Sequence, residues 1–133
     1  MAGLLHAAIR VMDMDKSVDF YVNKLGWELA RIKKLEKAKA TLAYVRPRGT
    51  AFELELVENW GRTEPYLIGD GFAHVALEVE DLPKTFEALK AKGVPFRKEP
   101  FALEGEGPPR IAFITDPDGY SIELIQADFS AEG

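Results

Sequence analysis

Phe113-Ile114-Thr115-Asp116-Pro117-Asp118-Gly119-Tyr120-Ser121-Ile122-Glu123-Leu124-Ile125 reads as strand, tight turn, strand. Pro117 presets φ near −65° and Gly119 accepts a positive φ, so Asp-Pro-Asp-Gly supplies the turn. The strand that follows is apolar except for Glu123, and a carboxylate in such a run is costly to bury unless it is paired or holds a cation. A second acid, Glu55, sits in a similar run, Phe52-Glu53-Leu54-Glu55-Leu56-Val57, 68 positions earlier. The chain has two histidines, His6 and His74, and they too stand 68 positions apart. Each opens a strand-like segment, His6-Ala7-Ala8-Ile9-Arg10-Val11 and His74-Val75-Ala76-Leu77-Glu78-Val79. One period thus relates two imidazoles and two carboxylates, the mark of an internal repeat that carries potential metal ligands.

Working outward, the rest of the chain follows the same period. Alternation along Met1 to Val11 puts His6, Ala8 and Arg10 on one face of a strand and Leu5, Ala7, Ile9 and Val11 on a core face. Asp13 caps a helix with an apolar stripe at Val18, Tyr21, Val22 and Leu25, and Gly26 ends it. Strands are expected at 27–34, 40–46 and 51–58. The segment Asn59 to Gly71, with Gly61, Pro65, Gly69 and Gly71, reads as a linker against which Trp60 and Tyr66 pack. The pattern then restarts with a strand over 72–79. Asp81 is a cap 68 positions after Asp13, Pro83 lies in the first turn, and Leu82, Phe86 and Leu89 form the stripe before Gly93. Strands are expected at 94–97, 110–115 and 120–126, with Phe101 to Pro109 as a mobile loop and 128–133 as a frayed polar tail. The expected fold is therefore α+β: two tandem βαβββ modules, 1–60 and 72–128, within one domain spanning 1–133.

Composition narrows the function classes. A net charge of −5 argues against nucleic acid or an anionic membrane as the main partner. With no cysteine there are no disulfides and no thiolate ligands. No run approaches about 20 apolar residues, and the chain reads as cytoplasmic.

Two His and two Glu form an N/O donor set suited to Ni, Co, Zn, Fe or Mn, with positions left for water or a chelating substrate. A lone strand histidine is more often an ordinary hydrogen-bonded residue, and a lone inward Glu is more often ion-paired. The shared period is what lifts His6, Glu55, His74 and Glu123 above those alternatives. Glu53 and Glu78 are rival carboxylates, but the position 68 after Glu53 is Ser121. Arg10 and Asn59 share the ligand faces of their strands, and Arg110 is a further candidate contact for an anionic group.

These residues resemble the vicinal oxygen chelate superfamily (the glyoxalase/bleomycin-resistance fold) and, within it, the short bacterial glyoxalase I (lactoylglutathione lyase) family. The resemblance is carried by Leu5 to Val11, Ser17-Val18-Asp19-Phe20-Tyr21, Glu55-Leu56 with Asn59-Trp60-Gly61, His74 to Leu77, and Ala112 to Ile125. It implies that His6, Glu55, His74 and Glu123 hold one divalent metal, Ni or Co favoured and Zn possible. It implies that Arg10 and Asn59 contact glutathione, and that a homodimer shares its sites between chains. The implied reaction converts the methylglyoxal–glutathione hemithioacetal to S-lactoylglutathione through an ene-diolate, with Glu123 as principal base and Glu55 as its partner. Both imidazoles must be neutral to ligate, so metal retention weakens in acid. One departure stands out: family members often carry a basic residue, commonly Lys, in the loop before the penultimate strand. Here Ala102 to Arg110 has two acids and only Arg110 as a cation. The competing expectations are an acyl-CoA epimerase, which usually has Gln at the position of Glu55, and a drug-sequestering protein without the ligands.

Overall fold

The computed structural model describes residues 3–130, with the side chains of 129 and 130 left aside; the outer part of the expected polar tail, 131–133, lies outside the described residues. Two compact units divide between Leu67 and Ile68.

In the first unit β1 (His6–Arg10) is followed by α1 (Met14–Val18), whose last turns continue in π geometry over Asp19–Lys24. Strands β2 (Glu28–Leu35), β3 (Ala40–Arg46) and β4 (Glu53–Asn59) complete it. The sheet order is β1-β4-β3-β2, with β1 and β4 parallel and the other pairs antiparallel. The second unit repeats this with β5 (Val75–Val79), α2 (Leu82–Ala91), β6 (Phe96–Phe101), β7 (Ile111–Thr115) and β8 (Ser121–Gln126), in the order β5-β8-β7-β6, and ends in a short α3 (Ala127–Ser130). The expected pair of βαβββ modules is thereby met. The loop before β7 contains a single 3₁₀ turn, Leu103–Gly105.

Each sheet buries one face beneath its helix. In the first unit Ile9, Val11, Val45, Leu54 and Leu56 are covered by Met14, Phe20 and Tyr21. In the second, Leu82 and Leu89 cover Ile114, Ile122 and Leu124. Alternation leaves Glu55 and Glu123 on the opposite faces, which is why the acids interrupt apolar runs without entering the core.

Three sequence expectations fail, and the first is the frayed tail, whose inner part is helical in α3 (Ala127–Ser130). Leu5 and Ala7 are exposed, because the helix covers the sheet only from Ile9 onward. The α1 stripe is also displaced. Met14, Ser17, Phe20 and Tyr21 are buried, whereas Val18, Val22 and Leu25 are only half-buried. The π segment, seen in the Leu25 N–H bond to the Phe20 carbonyl (2.9 Å), adds a residue per turn and rotates the face that a 3.6 period implies. In α2, which is regular, Leu82 and Leu89 are buried and Phe86 half-buried, as the periodicity predicts.

The helix starts are built alike. Asp13 Oδ1 accepts the Lys16 N–H (3.2 Å) and Asp81 Oδ1 the Lys84 N–H (3.0 Å). From the last strand of each unit, a Glu58 carboxylate oxygen accepts the Met14 N–H and Gln126 Oε1 the Leu82 N–H, both at 2.8 Å. Glu58 and Gln126 again stand one period apart. Helix α2 ends in a Schellman arrangement: Val94 N–H reaches the Leu89 carbonyl and Gly93 N–H the Lys90 carbonyl (both 3.0 Å), with Gly93 at φ 78°.

The Asp116–Gly119 turn closes through the Gly119 N–H to the Asp116 carbonyl (3.0 Å). The Asp116 side chain, 5% exposed, accepts the N–H groups of Asp118 (3.0 Å) and Tyr120 (2.9 Å). Asp116→Ala strands both donors and is expected to cost about 1–3 kcal/mol in denaturant unfolding; an unchanged midpoint would show that the turn holds without its carboxylate.

Candidate functional site

Each unit presents one imidazole–carboxylate pair on its uncovered face. Register sets His6 on β1 near Glu55 on β4, where Ala8 lies directly beside Glu55. His6 Nε2 stands 3.7 Å from Glu55 Oε2, with side chains 32% and 13% exposed. In the second unit His74 immediately precedes β5, and its Nε2 stands 3.1 Å from Glu123 Oε1, at 35% and 15% exposure. Two donors each about 2.1 Å from one ion and at right angles to each other stand about 3.0 Å apart, so the second pair already has the spacing of adjacent ligands. The first pair is wider, at 3.7 Å. An all N/O set of neutral imidazole and carboxylate, half-open to solvent, fits a divalent transition metal. The four expected ligands thus come together as two pairs; among the described residues no group of three or more potential ligands forms.

An aromatic ring stands beside each pair. Tyr44 is register-paired with Glu55 and donates its hydroxyl to Glu55 Oε2. Its ring meets the His6 edge at 5.6 Å, and Arg31 stacks 4.0 Å from its centroid. The bond to Glu55 pushes the Tyr44 phenol above its ordinary range, with burial and the carboxylate charge adding to it. Phe113 is register-paired with Glu123, meets the His74 edge at 5.6 Å and carries Arg97 4.6 Å from its centroid.

The rival acid Glu53 is otherwise engaged. Arg31 forks onto its two oxygens at 2.9 and 3.0 Å, and this bidentate bond holds the Glu53 carboxyl below the usual range. Arg10 lies exposed on the His6 face of β1. Asn59 ends β4, and its Oδ1 accepts the Tyr66 hydroxyl (2.9 Å), while Trp60 Nε1 bonds Thr41 Oγ1 (2.9 Å). The expected packing of Trp60 and Tyr66 is met by these bonds. Arg110 does not face His74. Its Nη1 lies 2.5 Å from Asp128 Oδ1, and it lines a groove of about 540 Å³ on the helix-bearing side of the second sheet, with Leu82, Phe86 and Gln126.

The cations that do face His74 and Glu123 are Arg97 and Lys98. A bulge in β6 moves the register from Phe96–Ile114 to Lys98–Phe113 and re-aims two consecutive side chains. Arg97 lies over Phe113 and bonds Ser121 Oγ (3.1 Å), while Lys98 Nζ lies 3.9 Å from the centroid of Phe101, which stacks on Phe113. Among the described residues neither forms an ion pair. Sequence reasoning passed them over because strict alternation cannot place neighbours on one face; the signal available was Arg-Lys in a short strand.

The family profile described as Glyoxalase/Bleomycin resistance protein/Dioxygenase superfamily matches residues 3–124, nearly the whole chain. The chain belongs to this superfamily. Within it, a probable lactoylglutathione lyase of Synechocystis sp. is 46% identical over 126 residues, covering 92% of this chain and 94% of the relative. The lactoylglutathione lyase of Salmonella typhimurium is 38% identical over 132 residues, covering 98% and 96%. Among solved structures, the trypanothione-dependent glyoxalase I of Leishmania major superposes with a TM-score of 0.84 at 32% identity, covering 99% of this chain and 91% of that one. The superfamily's fold is the one described above, and these relatives match 92–99% of this chain.

Proposed function

We propose that the protein is a lactoylglutathione lyase, isomerising the hemithioacetal of methylglyoxal and glutathione to S-lactoylglutathione. The observation that carries the reading is the duplicated His–Glu pair on the open face of each unit, in a chain aligned over nearly its full length with lactoylglutathione lyases.

His6, Glu55, His74 and Glu123 would together hold one divalent ion, Ni or Co in preference to Zn, each unit contributing a pair. The reading includes a homodimer in which one protomer supplies His6 and Glu55 and its partner the other pair. It also includes action in the cytoplasm, where thiols stay reduced; among the described residues no helix is long and apolar enough to cross a membrane. When bound, the ion supplies Lewis-acid stabilisation for the charge that develops on two neighbouring substrate oxygens. Glu123 takes the proton from the sulfur-bearing carbon and returns it to the adjacent carbon, while the hydroxyl proton of the first carbon passes to the oxygen of the second, so no proton is gained or lost overall. Glu55 stands as its counterpart. Tyr44 and Phe113 flank the pairs, each meeting its histidine edge-on at 5.6 Å.

Arg10 and Asn59 bind the peptide part of glutathione. Lys98 and Arg97 replace Arg110 as the positive charge for a tail carboxylate, since Asp128 already neutralises Arg110. Lys98→Met with Arg97→Met is expected to raise KM about tenfold and leave kcat within about twofold, the signature of lost ground-state binding. The overall reading is tested by turnover of the hemithioacetal after reconstitution with Ni, Co, Zn or Mn; absence of turnover with every ion would overturn it.

A further inference from the structure

The aromatic rings beside the two pairs differ by one oxygen atom. Tyr44 and Phe113 occupy matched cages: each is register-paired with the unit's glutamate, each meets the histidine edge-on at 5.6 Å, and each carries an arginine over its face, at 4.0 and 4.6 Å. Arg31 is itself held by two bonds to Glu53, so the Tyr44 ring is fixed from one face and one edge. Only Tyr44 has a hydroxyl, and it donates to Glu55 Oε2. Glu123 has no such donor from Phe113.

We infer that Tyr44 is a positioning residue that pins Glu55 as a fixed metal-site carboxylate and thereby leaves Glu123 as the one that moves the proton. The inference rests on the proposed isomerase reading for the role of Glu123, and on geometry alone for the pinning. A carboxylate that spends a lone pair on a phenol loses rotamer freedom, yet keeps its remaining lone pairs for an ion. A carboxylate without that bond is free to swing between ligation and proton transfer. Two chemically equal glutamates are thus made unequal by their neighbours.

The test uses both directions of the exchange on the full-length protein. Tyr44→Phe makes the first cage like the second, and calorimetric titration with Ni is expected to show affinity about tenfold weaker, as for loss of an outer-shell partner. Phe113→Tyr places a donor opposite Glu123 and is expected to lower kcat about tenfold at saturating Ni, with KM unchanged and Ni affinity no weaker. A merely structural Tyr44 would lower the unfolding midpoint of Tyr44→Phe without moving Ni affinity, and that result would overturn the inference. So would full kcat in a folded Phe113→Tyr. Failure of the isomerase reading would show separately, as wild-type protein that binds Ni and does not turn over while Tyr44→Phe still weakens the ion.

Discussion

His74→Ala is expected to abolish stable metal retention and to cut hemithioacetal turnover by roughly 10³-fold or more, since under the proposed function it removes one of four donors and leaves Glu123 without its partner. The imidazole is one-third exposed and precedes β5, so the fold should survive: the metal-free unfolding free energy should lie within about 0.5 kcal/mol of the parent. His6→Ala should behave the same way although it lies in the other unit. That equivalence is the sharp part. If the two pairs serve one ion, elemental analysis gives one metal per chain in the parent and none in either variant. If each pair held its own ion, the parent would carry two and each variant would keep one, and the shared-ion reading would be lost.

The second large effect separates the glutamates. Glu123→Gln retains an oxygen donor but no base, and kcat is expected to fall about 10²–10⁴-fold with the ion still bound. Glu55→Gln should chiefly weaken the ion, because its side chain is held by Tyr44 whether it ends in a carboxylate or an amide. At saturating Ni its kcat should exceed that of Glu123→Gln by at least about tenfold. Equal losses in the two variants would mean that the proton passes through both carboxylates alike.

How far the sequence foretold this depended on the distance over which each signal acts. The 68-residue period needed only counting, and with it came both sheets, the helix of each unit and the two His–Glu pairs. Asp13, Asp81 and the Asp116 turn were readable because their partners lie within four positions. Glu58 and Gln126 were not, because the N–H groups they bond lie 44 positions away on a helix. Tyr44 escaped for the same reason, since its tie to Glu55 depends on cross-strand register rather than spacing. Val18, Val22 and Leu25 were misplaced by a π turn, and Arg97 with Lys98 were passed over because of a bulge, two local changes of period that simple periodicity rules cannot express. Arg110 was a plausible cation by composition alone, but in the fold Asp128 claims it.

In each unit the opening strand runs parallel to the closing one, β1 beside β4 and β5 beside β8. A ribosome must therefore deliver some fifty residues after β1 before that strand finds its hydrogen-bonding neighbour, and every truncated intermediate exposes an open sheet edge. The N-terminal half can settle while its twin is still being made, which spares the nascent chain from holding both unpaired edges at once.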